Sequence, residues 1–182
     1  MKKLSVYLMV LFAAFLLQSC GDDENTVEER ENVSYYGETE LAFTSAAVGD
    51  SGEDGGYHFT NIYLAEKSMA TTGFDIAPGE SLMSIFFSSK SEHPEAKNYT
   101  EIKDAYSDTD ENIFEGAKLI FDYDPNGEPG SASENINTGS INLIEYDFNT
   151  KTIEFEYEFL MQNGKTSKGY YKGSFDFLGE IG

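Results

Sequence analysis

Between Thr152 and Phe159 the chain alternates strictly, with Ile153, Phe155, Tyr157 and Phe159 on one side and Glu154, Glu156 and Glu158 on the other. A period of two sends successive side chains to opposite faces, so this segment predicts a β-strand with one face in a core and the other in water. A helix would scatter those seven side chains around its whole circumference. The alternation recurs at Tyr171, Gly173, Phe175 and Phe177, with Lys172, Ser174 and Asp176 between them. Further strands are predicted over 40–46, 57–65, 81–88, 97–102, 114–123 and 139–148. Leu82–Phe87 is apolar on both faces and reads as a central strand. No window carries a helical apolar stripe, and 92–106 leaves room for one turn only.

Turn residues punctuate these runs at Gly49–Gly56, Ala77-Pro78-Gly79, Asp124–Gly127, Phe148–Lys151 and Asn163-Gly164. With 40% hydrophobic and 14% aromatic residues, the chain can fill a core. The expected fold is all-β: an antiparallel β-sandwich of about seven to nine strands, with a closed β-barrel as the alternative. One register follows from the faces alone. A two-residue hairpin at Asn163-Gly164 would oppose Phe155 to Lys172 and mix core with solvent, which a half-buried sheet does not tolerate. A shift of one pairs Tyr157 with Tyr171, Ile153 with Phe175 and Glu156 with Lys172. It requires a three-residue connection or a bulge, with Gly169 as a place for one, and keeps Tyr171 on the core face.

The first residues carry an address. Lys2 and Lys3 precede an apolar run from Leu4 to Leu17 that only Ser5 interrupts. The run is shorter than the roughly 20 residues of a spanning helix and has the form of a secretory signal. It ends at Leu17-Gln18-Ser19-Cys20, which resembles a bacterial lipobox, with Gln18 bulkier than the usual small residue. The resemblance implies cleavage before Cys20 and acylation of Cys20. The following Gly21-Asp22-Asp23-Glu24 resembles the surface-export signal of Bacteroidetes lipoproteins. The pattern of 136–178 is similar in texture to the C-terminal part of uncharacterised lipoproteins of that group, which implies a β-rich body and no particular activity. The expected organisation is a lipoprotein signal over 1–19, lipidated Cys20 and an acidic tether over 20–38, and one β domain over 39–182, with Tyr35 and Tyr36 able to pack on it. The expected location is the outer membrane, lipid-anchored and facing outward.

Charge narrows the partners. Twelve Lys and Arg against 33 Asp and Glu leave a formal charge of −21. Nucleic acid needs clustered cations and is excluded as a partner. An anionic membrane repels such a body, so the membrane is a partner only through acylated Cys20. One Cys makes neither an internal disulfide nor a Cys-rich zinc site.

Chemistry-bearing patterns are few. Asp122, Asp124, Asn126 and Glu128 alternate as oxygen ligands in a calcium loop do, with Gly127 at the sixth position. Ser133 stands where the twelfth-position Glu belongs, and Pro125-Asn126-Gly127 serves a plain turn equally well. Calcium is the one cofactor the sequence leaves open. The acids of Gly49–Gly56 read as a hairpin connection. Glu154, Glu156 and Glu158, with Glu145 opposite Glu154, read as a solvated face, although paired carboxylates are also what a glycosidase uses. His58 and His93 lack metal-ligand spacing, and no Gly-x-Ser-x-Gly elbow, P-loop or dinucleotide fingerprint occurs. Tyr99, Tyr106 and Tyr170 fall at loop or wet positions, where tyrosine serves recognition. The expectation is therefore a surface binding or accessory module without catalysis, for a glycan, a nutrient or a surface protein. A calcium-stabilised adhesive or structural module is the alternative, and a carboxylate-based hydrolase ranks below both.

Overall fold

The computed structural model describes residues 30–72, 75–127 and 133–181. Ten strands follow in order: β1 Val33–Tyr36, β2 Thr39–Leu41, β3 Ser45–Asp54, β4 Tyr57–Ala65, β5 Leu82–Ser89, β6 Asn98–Tyr99, β7 Asn112–Ile120, β8 Ser133–Asp147, β9 Thr152–Met161 and β10 Thr166–Glu180. One helical turn, α1 (Met69–Thr72), lies between β4 and β5.

The strands close on themselves. Seven of them run β10-β3-β4-β5-β7-β8-β9 and back to β10, while β1 and β2 extend from β10 and β6 pairs with β8. This corrects the sandwich expectation. The architecture is a closed seven-stranded barrel with three additional strands. The physical reason is strand length. β8 and β10 each run for 15 residues, so each pairs with different neighbours along one edge. β10 holds β1 at Ser167–Tyr170 and β3 from Phe175 onward. β8 holds β7 at Ser133–Asn135 and β6 at Ile141-Asn142. The β10–β3 seam is parallel, so the sheet is not purely antiparallel. Because β3 and β10 lie far apart in sequence, that seam needs no crossover helix.

The alternation of β9 survives intact. Ile153, Phe155, Tyr157 and Phe159 are buried in the barrel with Phe87, Phe114, Leu143 and Phe175. β5 is central, flanked by β4 and β7, as its two-sided apolarity requires. The Gly49–Gly56 segment is no loop: β3 continues through Asp54, with a register shift between Asp50 and Glu53. Only Gly55 and Gly56 turn, at φ of 60° and 83°, the positive pair that a tight two-residue hairpin demands. The expected strand at 40–46 is two pieces, β2 and the start of β3. The boundary drawn at residue 38 falls inside the β1–β2 hairpin, since β1 already pairs with β10 and β2.

The β9–β10 hairpin has the three-residue connection, but the register slides the other way. Tyr171 faces Phe155, Lys172 faces Glu154 and Gly169 faces Tyr157. The connection is Gln162-Asn163-Gly164, closed by the Met161 amide on the Lys165 carbonyl at 2.8 Å. Gly164, at φ 83°, takes the last loop position, where such hairpins place their left-handed residue. Either register keeps Tyr171 inside, and it is 4% exposed.

Candidate functional site

The outward positions of β8, β9, β10 and β1 line up in rows because their ladders are in register. One row reads Asn98, Asn142, Glu156, Tyr170, Val33. The next reads Ser140, Glu158, Lys168, Tyr35. Together with Arg30, these rows line an open trough of about 490 Å³.

The two rows differ in how their polar groups are engaged. In the first, Arg30 Nη1 lies 2.8 Å from Glu156 Oε2, and its guanidinium sits 4.1 Å above the Tyr170 ring. The Asn142 side-chain amide donates to Glu156 Oε1 at 3.3 Å. The Tyr170 hydroxyl donates to Glu154 Oε1 at 2.8 Å, and Lys172 Nζ lies 2.9 Å from Glu154 Oε2. Hydrogen bonding from Lys172 lowers the Glu154 carboxyl, and hydrogen bonding from Arg30 lowers Glu156. Burial, helped by the Glu154 carboxylate, raises the Tyr170 hydroxyl. Glu145 does stand opposite Glu154, and the conflict is relieved by giving them different partners: Thr152 Oγ1 donates to Glu145 at 2.7 Å.

In the second row nothing is engaged. Among the described residues, no hydrogen bond or ion pair involves the side chain of Tyr35, Lys168, Glu158 or Ser140. Glu158 and Lys168 are directly opposed across the ladder yet form no ion pair. An acceptor, a strong donor and two hydroxyls therefore stand free in one hollow, on rigid strands, with Tyr35 supplying an amphipathic ring.

The residues nominated from the sequence are dispersed. Tyr99 is buried, its hydroxyl donating to the Glu95 carbonyl at 2.8 Å and its ring 5.1 Å from that of Phe87. Tyr106 is 70% exposed but stands by the Gly55 turn, bonded to Asp54 Oδ2 at 2.8 Å. Of the three tyrosines only Tyr170 reaches the trough, with Arg30 over its ring. Arg30, Tyr35, Lys168 and Asn98 were missed. Tyr35 lies in the segment read as tether, whereas Lys168 was legible: extending the β10 alternation back to Thr166 puts Lys168, Tyr170 and Lys172 on one face.

Asp124 caps a turn, its Oδ1 accepting from the Asn126 amide at 2.8 Å while its carbonyl accepts from Gly127 at 3.1 Å. Asp122, at φ 49°, takes a bond from its amide to Ser81 Oγ at 3.2 Å. Glu128 and Cys20 lie outside the described residues. Among the described residues, no group of three or more His, Cys, Asp or Glu is placed to hold a metal ion. The His93 ring stacks on Phe148 at 4.3 Å, and the Ser89 hydroxyl donates to Asn112 Oδ1 at 2.8 Å, so these two side chains are not paired as nucleophile and base. Among the described residues, every carboxyl whose pKa moves goes down, at Glu80, Asp108, Asp147, Glu154 and Glu156. A glycosidase acid requires the opposite shift.

No family model, curated protein sequence or solved structure gives a significant match to this chain.

Proposed function

We propose that this chain is a lipid-anchored binding module of an outer bacterial surface, taking a polyhydroxylated ligand in the trough over β8, β9, β10 and β1. The observation that carries the reading is the unengaged row Ser140, Glu158, Lys168, Tyr35 on a rigid sheet face. Sugar hydroxyls both donate and accept, which suits a carboxylate beside an ammonium, and Tyr35 offers a ring for the apolar face of a sugar. The anchor rests on the Leu17–Cys20 motif. Two experiments test the two halves. Metabolic labelling with a fatty acid should mark the wild-type protein and leave Cys20→Ser unlabelled. A glycan microarray should give signals that Glu158→Gln and Tyr35→Ala each reduce, and an array blank throughout removes the glycan reading.

A calcium-stabilised adhesive or structural module is the second reading. The mutual pairing of Arg30, Glu156, Glu154 and Lys172 favours it, because a surface that satisfies itself suits a spacer. It predicts a calcium-specific rise in melting temperature that EDTA reverses and Asp124→Ala abolishes, with magnesium inert.

A further inference from the structure

The trough does not stop at the free row. A second hollow of about 390 Å³ continues it, with Ser140 and Glu158 lining both and Leu160 at its far side. Glu156, Glu158 and Leu160 are alternate outward residues of β9, so the joint floor follows that strand for about 13 Å. Strand residues line nearly all of it, apart from Arg30 and Thr100, and no loop folds over it among the described residues.

Resting on the glycan reading, we infer that the ligand is the interior of a linear, uncharged polysaccharide lying along β9. Three arguments fix that class. First, sites for small ligands bury about 70–90% of the ligand, which the open trough formed by the described strands cannot do by itself. Affinity here has to accumulate along an extended chain. Second, the β9 backbone is already paired on both sides, with β8 and with β10, so a peptide cannot dock by adding a strand. The ligand must be held by side chains alone, and a polysaccharide offers hydroxyls along its whole length. The exposed side of Leu160, 40% accessible, continues the apolar footing that Tyr35 begins. Third, Arg30 and Lys168 balance Glu156 and Glu158 inside the trough, while the whole chain carries −21. A locally balanced groove in a strongly anionic field favours a neutral polymer over an acidic one.

The test uses full-length protein in detergent and affinity electrophoresis against dextran, pullulan, laminarin, inulin, mannan and arabinoxylan, with alginate as the acidic control. Retention by at least one neutral polymer is expected. For that polymer, affinity should rise at least tenfold from monosaccharide to hexasaccharide, and several protein molecules should load onto one long chain. Glu158→Gln and Tyr35→Ala should each weaken it at least tenfold without moving the melting temperature. One protein per chain, or a monosaccharide bound as tightly as the hexasaccharide, overturns chain-interior binding and leaves the trough reading standing. Tighter retention by alginate overturns the neutral class. Retention that neither variant alters, or no retention by any polymer, overturns both the inference and the glycan reading beneath it.

Discussion

The two walls of the barrel share one alternation and are finished differently on the outside. On the wall built from β3, β4 and β5, one end of the outward face is apolar. Ala47, Tyr63, Ala65 and Leu82 collect under Met69 of α1, with Ile76, Ile120, Leu178 and Ile181 packed around them. A smaller patch joins Tyr57, Ala105 and Ile113 to Phe59. On the wall built from β8, β9 and β10, the outward residues include Asn142, Glu154, Glu156, Glu158, Lys168 and Lys172, and no apolar coat lies over them among the described residues, although Arg30 reaches across to Glu156 and Tyr170. The coated wall buries part of both faces, and its central strand β5 reads as a nearly continuous apolar run. The bare wall spends one face on burial and keeps the other for water or a ligand. The contrast separates the two tasks: substitutions on the coated wall should cost stability, and those in the free row of the bare wall should cost binding.

The largest effect belongs to the core that both walls share. Phe159 is fully buried, 5.6 Å from Phe114 and 4.8 Å from Tyr157 by ring centroids. Phe159→Ala should lose about 3–5 kcal/mol in urea unfolding. Its neighbour Leu160, on the bare face, should lose no more than about 0.5 kcal/mol on the same change. Equal losses would mean that the bare wall is covered after all. Leu82→Ala, in the outer coat, should cost about 2 kcal/mol, at the low end for such a truncation because the surface turn above it can settle.

Gly169→Ala breaks the comparison from the trough side. A Cβ there would lie 2.7 Å from the Val33 carbonyl and 2.9 Å from Tyr157 Cε1. The backbone of β1 cannot give as a flexible side chain would. The expected cost is about 1–3 kcal/mol, with amide exchange protection lost selectively at Val33–Tyr36. Loss spread evenly over the barrel would contradict this account of β1.

Acid should weaken the bare wall. Glu154 and Glu156 have folded pKa values held below the ordinary 4.5. Below that value the unfolded chain takes up protons that the folded chain refuses, so their contribution is complete above pH 4.5 and fades as pH falls beneath it. The melting temperature should therefore drop on acidification through that range, and the drop should shrink in Glu154→Gln. At the small end, Tyr35→Ala and Glu158→Gln should change stability by no more than about 0.5 kcal/mol, since neither side chain has a partner to lose.

How far the sequence could be read follows the same division. The β9 face was legible residue by residue because a wet wall writes its alternation into the chain. The two-sided burial of β5 was legible too. The continuation of β3 through Gly49–Asp54 was hidden, because Gly and Asp are turn residues by propensity and only pairing with β4 makes that stretch a strand. β1 was hidden by its acidic surroundings. Asn32 fixes its start: its side chain accepts from the Lys172 amide at 2.7 Å and donates to the Lys172 carbonyl at 3.1 Å, standing in for one more ladder residue. Half of the trough was visible as outward charges on β9, and the other half needed β1 to be in place.

By itself the sequence determined that the chain is all-β, which faces of β9 and β5 are buried, and that Tyr171 points inward. These depend on a two-residue period, which is a local property. Only the tertiary structure decided that the sheet closes, that the seam between β3 and β10 is parallel, and that Tyr35 meets Lys168 and Glu158 in one row. Those depend on which strand edges remain unpaired once every other strand has found a neighbour, and on how far a 15-residue strand reaches beyond its first partner, and neither is encoded within any single segment.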